Sequence, residues 1–229
     1  MNLPSSRQLP LVSLLFGAAI VFTATASAKT HTATRAGTYS NSKGGSGNFS
    51  SSTTRGDGSA STQGSWTNQN GQTGTHSSNR SFDQATGTGT VAKATTLPDG
   101  KTASTNGTLA RNPDGSISEQ ATRTGFNGKS ETIATTTAKT ATGTTTTGTI
   151  TGPDGKVATI SGTMTKGADT YSRDTTVTGP NGKTTEHASS TVENPDGTYT
   201  RTAVTTKPDG STSTNTENFT VTKDTPPKG

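Results

Sequence analysis

The sequence predicts an all-β protein, an elongated antiparallel meander of Thr-rich hairpin repeats with little hydrophobic core. A Pro-Asp-Gly or Pro-Asn-Gly turn recurs at Pro98, Pro113, Pro153, Pro180, Pro195 and Pro208, with a version lacking proline at Phe126-Asn127-Gly128. Between the turns, residues alternate with period two, and no helical periodicity follows the first 28 residues. The turns at 98, 113 and 126 also lie 82 residues before those at 180, 195 and 208, so 97–140 and 179–222 are two copies of one unit.

Taken in order, Met1–Ala28 has the layout of a secretory signal helix. Arg7 supplies the positive start, Leu11–Phe22 the short apolar run, and Ala26-Ser27-Ala28 the small-residue cleavage site. The expectation is an exported protein, secreted, held at the cell surface or retained in a periplasm, whose mature chain starts at Lys29 and has no membrane span. The sequence has no cysteine, so no disulfide framework supports it.

Residues 29–54 are rich in Ser, Gly, Thr and Asn, include Gly44-Gly45-Ser46-Gly47, and offer only Tyr39 and Phe49 as large anchors. They read as a flexible lead-in. The hairpin repeat region spans 55–222 and starts in degenerate form, since Asp57-Gly58-Ser59 and Asn70-Gly71-Gln72 are 13 residues apart, like Asp114-Gly115-Ser116 and Asn127-Gly128-Lys129. In each full turn, proline presets φ near −65°, Asp or Asn tolerates the next position, and Gly takes the left-handed conformation that ends a type I turn with a bulge.

Where these turns lie 27 residues apart, Ala141-Thr142-Gly143 and Lys166-Gly167-Ala168-Asp169 break the run, which gives about a dozen strands of ordinary length. Along the strands, Thr198, Thr200 and Thr202 share one face and Tyr199, Arg201 and Ala203 the other. Likewise Ala158, Ile160, Gly162 and Met164 oppose Val157, Thr159, Ser161, Thr163 and Thr165. Residues 223–229 form a polar tail containing Pro226-Pro227.

Hydrophobic residues make up 23% of the chain and mean hydropathy is −0.71, values that allow disordered stretches. The 82-residue turn register argues for ordered sheet instead, held by backbone ladders, threonine pairs and a narrow apolar stripe. An open sheet of this kind has free edges, and self-association through strand edges is expected.

No catalytic, cofactor-binding or metal-ligating residues are assigned. His31, His76 and His187 stand apart in polar contexts and read as solvated side chains, and no nucleophile elbow or calcium-loop spacing accompanies the abundant Ser, Thr and Asp. The formal charge of +5 falls to +4 without Arg7; bases and acids interleave, which points away from a specific nucleic-acid surface and leaves attraction to a surface polysaccharide or other anionic polymer. Arg55-Gly56-Asp57 reads as a degenerate turn that also spells an integrin tripeptide. Asn48, Asn79, Asn106 and Asn218 open N-glycosylation sequons, and Trp66 reads as a packing anchor.

Thr-x-Thr pairs such as Thr198 with Thr200, Thr212 with Thr214 and Thr220 with Thr222 resemble the threonine arrays of ice-binding β-solenoid proteins, a resemblance confined to short strand segments. Turns spaced at 13, 15 and 27 residues do not give the constant rung of a solenoid. The functional expectation is a secreted, non-enzymatic repeat protein serving as an extended structural or adhesive element of the cell surface or extracellular matrix. A disordered coat or spacer polymer, a self-assembling fibre subunit and an ice-binding protein are the alternatives.

Overall fold

The computed structural model describes residues 30–224. The expected signal helix, Met1–Ala28, and the last residues of the polar tail, 225–229, lie outside the described residues. The described chain forms fourteen strands and no helix: β1 (His31–Asn41), β2 (Ser46–Gly56), β3 (Ser59–Asn68), β4 (Thr73–Asp83), β5 (Thr88–Thr96), β6 (Thr102–Arg111) and β7 (Ile117–Thr124), then β8 (Ser130–Lys139), β9 (Gly143–Thr151), β10 (Val157–Lys166), β11 (Thr170–Thr178), β12 (Thr184–Glu193), β13 (Tyr199–Thr206) and β14 (Thr212–Lys223).

Each strand pairs antiparallel with its sequence neighbours, and β1 pairs with β14 to close a barrel. Closure corrects the elongated meander. The open edges invoked for self-association are consumed by the Ala33–Asn41 register against Asn215–Lys223, and Asp224 N–H donates to Thr32 O at 3.0 Å just past it. Backbone groups that an open sheet leaves to water or to another copy are thereby satisfied within the chain.

The lead-in is likewise corrected, because 29–54 supplies β1 and most of β2. Asn41 does there what Asp does in the later turns, its Oδ1 accepting from the N–H groups of Lys43 and Gly45. Tyr39 and Phe49 then join Phe219 on one face, and Phe49 meets Phe219 edge-on at 6.2 Å. A Gly/Ser-rich composition reads as flexible when each segment is taken alone, whereas here both strands gain partners on two sides.

The turns form as their chemistry dictates. At Asn112–Ser116 the Gly115 N–H reaches Asn112 O, the Asn112 N–H reaches Ser116 O, and Asp114 Oδ1 takes the Ser116 N–H. Gly115 sits at φ 83°, a left-handed conformation that strains any residue with a Cβ. Asp57-Gly58 differs, being a two-residue turn with both residues left-handed, at φ 48° and 71°. That is the type I′ hairpin geometry rather than a proline-type turn.

Register sorts the side chains into two sets. Following paired residues around the ring puts the large apolar residues of the strands inside, including Phe82, Val91, Leu109, Ile133, Ile150, Ile160 and Phe219, and leaves only Val157, Val192 and Val204 outside. Ala121, Ile133, Ile150 and Ile160 pack together, with Ala158 and Val177 against them. Closure therefore gathers a narrow stripe from each strand into one core, more than an open sheet could bury. Most strand glycines also face inward and admit large neighbours. A Cβ at Gly74 would overlap the Trp66 ring, and one at Gly37 would meet Phe219.

Candidate functional site: inner charge clusters and a lysine rim

The inward positions carry charge as well as apolar groups. Arg35, Arg80, Lys93, Arg123, Arg173 and Arg201 sit at inner register positions with Glu119, Glu131 and Glu217, so every strand cation between the barrel ends is turned inside. Three groupings result.

In the first, Glu217 accepts from both Arg35, at 2.6 Å, and Arg201, at 3.2 Å. The Arg35 guanidinium lies 3.7 Å from the Phe219 ring centroid and 5.1 Å from that of Phe49, and Tyr199 stacks on Phe219 at 5.5 Å. Arg35 Nε is buried without a hydrogen-bond partner, its plane being turned to the aromatic face instead. Burial lowers the Arg35 pKa and Glu217 raises it in opposition. In the second grouping Arg123 and Glu131 pair directly across β7 and β8.

The third spans the barrel. Lys93 of β5 is within electrostatic reach of Glu119, Arg80 and Arg173, which come from β7, β4 and β11. Burial lowers the pKa of Lys93 and Arg80, which Glu119 opposes in both cases, and brings Arg173 down to about 10. Beside them lies a cavity of about 40 Å³, lined by Arg80, Glu119 and Arg173 together with Thr and Ile side chains.

The outer wall is the complement. Outward strand positions carry Thr, Ser, Asn, Gln and Ala, with Asp174 and Glu186 as charges between the strand ends and no Lys or Arg. Their hydroxyls bond across strands, as in Thr32 with Thr54, Ser81 with Thr90 and Thr165 with Ser172.

The ends of the barrel differ in charge because alternate hairpin turns fall at opposite ends. One end collects the turns that carry Lys43, Lys101, Lys129, Lys156, Lys183 and Lys207, all exposed. Lys101 and Lys156 reach Asp99 and Asp154 of their own turns, and Lys207 interacts electrostatically with Asp209 of its own. The other end collects Asp57, Asp83, Asp114, Asp169, Asp196 and Asp224, with Arg55, Arg111, Lys139, Lys166 and Lys223 at the strand ends beside them.

Each sequence motif now has a place. His76 and His187 face inward and are half-buried, which corrects the solvated reading, while His31 is exposed at the start of β1. His76 stacks on Trp66 at 6.5 Å and His187 Nδ1 lies 3.0 Å from Thr205 Oγ1; burial first, then nearby arginines, lower the pKa of both. The three histidines are not brought together, and among the described residues no group of three His, Asp, Glu or Cys is placed to hold a metal ion. Arg55 and Gly56 end β2 while Asp57 occupies the turn, so the tripeptide spans a strand end and a tight turn. The four sequon asparagines, Asn48, Asn79, Asn106 and Asn218, are all exposed on the outer wall.

The sequence reading did not separate the Lys-bearing turns from the Asp-Gly-Ser/Thr turns. The signal was present, because consecutive turns of a meander must alternate ends. Compared with family models, curated proteins and solved structures, the chain finds no match.

Proposed function

We infer that this protein is an exported, non-enzymatic structural or adhesive element of the cell surface or extracellular matrix, attaching to an anionic surface polymer through one end of its barrel. The observation that carries the reading is the ring of exposed lysines at that end, three of which, Lys43, Lys129 and Lys183, sit in turns that contain no carboxylate. Lysines fixed on successive turns at one rim add their fields, and each polymer repeat engaged makes the next contact intramolecular.

The remaining surface suits the same role. A hydroxyl wall with no cation and only Asp174 and Glu186 as charges between the strand ends is hydrated and does not attract an anionic polymer, so the rim dominates attachment while the barrel acts as a compact spacer. Compactness replaces the extended shape, and the closed edge removes the route by which a fibre would grow by strand pairing.

Retention of the full chain on immobilised dextran sulfate, compared with neutral dextran, tests the reading. Binding is expected at low salt, falling steeply as salt rises, and the Lys43→Gln, Lys129→Gln, Lys183→Gln, Lys207→Gln quadruple variant should lose most of it while keeping its thermal midpoint. Equal retention on both matrices, or retention unchanged in the quadruple variant, would refute it.

A further inference from the structure

Four turns on the lysine rim share one backbone and differ in one side chain. At 97–101, 125–129, 152–156 and 179–183 the glycine N–H donates to the carbonyl three residues earlier, at 2.9 to 3.0 Å, and the first N–H of the turn reaches the lysine carbonyl at 2.8 to 2.9 Å. In each, the residue before glycine accepts the lysine N–H through Oδ1, Asp99 and Asp154 at 3.1 and 3.3 Å, Asn127 and Asn181 both at 3.1 Å. The other atom of that side chain decides what the lysine meets. Asp99 Oδ2 holds Lys101 Nζ at 2.6 Å and Asp154 Oδ2 holds Lys156 Nζ at 2.9 Å. Asn127 and Asn181 have Nδ2 in that place, a donor that cannot accept from an ammonium.

An Asn-Gly pair is also chemically labile, because glycine has no side chain to shield its backbone nitrogen. Gly128 and Gly182 are exposed, and a Cβ built on either meets nothing within 4 Å. When the Gly128 nitrogen gives its proton to water and attacks Asn127 Cγ, the Cγ–Nδ2 bond breaks, ammonia leaves and a cyclic succinimide closes. Water then opens the ring at either carbonyl to give aspartate or isoaspartate, so one amide and one water become one carboxylate and one ammonium. The bonds from Gly128 N–H to Gly125 O and from Gly182 N–H to Gly179 O must open first, which makes the reaction slow and ties it to transient opening of an exposed turn. Asn106-Gly107 lies in the middle of β6, laddered to β5 and β7 on its two sides, where such opening is far costlier.

We propose that Asn127 and Asn181 are sites of spontaneous deamidation, and that each new carboxylate pairs with the lysine two residues on, so that the lysine rim loses attraction for an anionic polymer as the protein ages. The paired product is already displayed twice in the same barrel, at Asp99 with Lys101 and Asp154 with Lys156. Both branches of ring opening add the negative charge, while the aspartate branch also keeps the backbone of the turn. Lys43 keeps its charge, because the asparagine of its turn, Asn41, precedes Ser42 and not a glycine. The loss of attachment rests on the rim binding proposed for this protein, whereas the modification and the pairing do not.

Ageing the full chain at mildly alkaline pH and mapping its peptides by mass spectrometry tests the chemistry. Conversion of Asn127 and Asn181 should outpace that of Asn106 by about tenfold or more; intact amides at both turns, or equal conversion at Asn106, would overturn it. Pairing is read from an Asn127→Asp, Asn181→Asp variant by NMR titration of the lysine side chains. Lys129 and Lys183 should titrate at higher pH than in the unaltered protein, and unchanged titrations would rule the pairing out. The same variant should bind dextran sulfate about fivefold or more weakly at low salt, and an Asn127→Gln, Asn181→Gln variant should keep its retention through ageing. Equal affinity of the Asp variant and a retained unaltered chain would refute the discharge of the rim. If the unaltered chain is not retained at all, rim binding itself fails, while the peptide map and the titrations still decide the deamidation and the pairing.

Discussion

The two copies of the repeat, β6–β8 and β12–β14, stand nearly opposite each other in the ring, share their turn placement and differ most sharply in what they point inward. Their middle turns match down to side chains. Asn112 Nδ2 donates to Ser116 and Ser118, as Asn194 Nδ2 does to Thr198 and Thr200, and Asp114 and Asp196 each accept from the N–H and hydroxyl of the residue two positions on. Inside, Leu109 and Ile133 of the first copy correspond to Thr191 and Asn215 of the second, and Thr137 to Phe219. The pair Glu119 and Thr135 corresponds to Arg201 and Glu217. Turn positions hold the hairpin geometry, so their Gly and their Asp or Asn repeat, while outer positions vary among small and polar residues, as at Ser104 against Glu186 and Thr122 against Val204. Inner positions must fill one shared lumen from opposite sides, so they are free to become complementary.

The largest effect should separate the copies at Phe219 and Thr137. Phe219→Ala removes the ring that Arg35, Phe49 and Tyr199 pack on and should cost about 4 kcal/mol in chemical denaturation, whereas Thr137→Ala should stay within about 1 kcal/mol. Glu217→Gln comes next, at about 3 kcal/mol, because it leaves Arg35 and Arg201 without their shared carboxylate. In the first copy Ile133→Ala should cost about 2 to 3 kcal/mol through a cavity in the isoleucine cluster, with Asn215→Ala, its counterpart, well below that. Equal losses for counterpart residues would mean that the inner faces are not specialised.

The turns should behave alike in both copies. Gly115→Ala and Gly197→Ala each force a Cβ into a left-handed conformation, at φ 83° and 78°, and should each cost about 1 kcal/mol. The smallest difference is in pH response. His187 occupies the position of Thr105 in the first copy, and its pKa is lowered by burial. A lowered folded-state pKa means that the unfolded chain binds the proton more readily, so stability is full above the ordinary value of 6.5 and declines as pH falls below it. His187→Thr should flatten that decline between pH 7 and 5 in thermal melts, although His76, lowered in the same direction, keeps part of it.

The hairpins were legible in the sequence because each Pro-Asp-Gly turn carries its own mechanism within five residues. The same local logic missed the turns at Asn41–Gly45 and Asp83–Gly87, which lack proline and rely on Asn41 and Asp83 side chains accepting nearby backbone N–H groups. Alternation correctly paired Tyr199, Arg201 and Ala203 against the threonines, but it could not say that this face is a lumen. That depends on β1 meeting β14, a contact between residues 182 apart such as Arg35 and Glu217, for which no local pattern exists. The charge clusters were hidden for the same reason, since Lys93 and Arg173 approach only when β5 and β11 oppose each other across a closed ring.

Closure is therefore the property on which the core, the clusters and the two charged ends all depend, and it is open to direct measurement in a chain with no native cysteine. Thr34 and Thr222 are register partners on the outer wall of β1 and β14. A Thr34→Cys, Thr222→Cys variant labelled with pyrene at both sites should show excimer emission that is independent of protein concentration and disappears in denaturant. Monomer emission alone, or excimer emission that grows with concentration, would contradict the closed barrel.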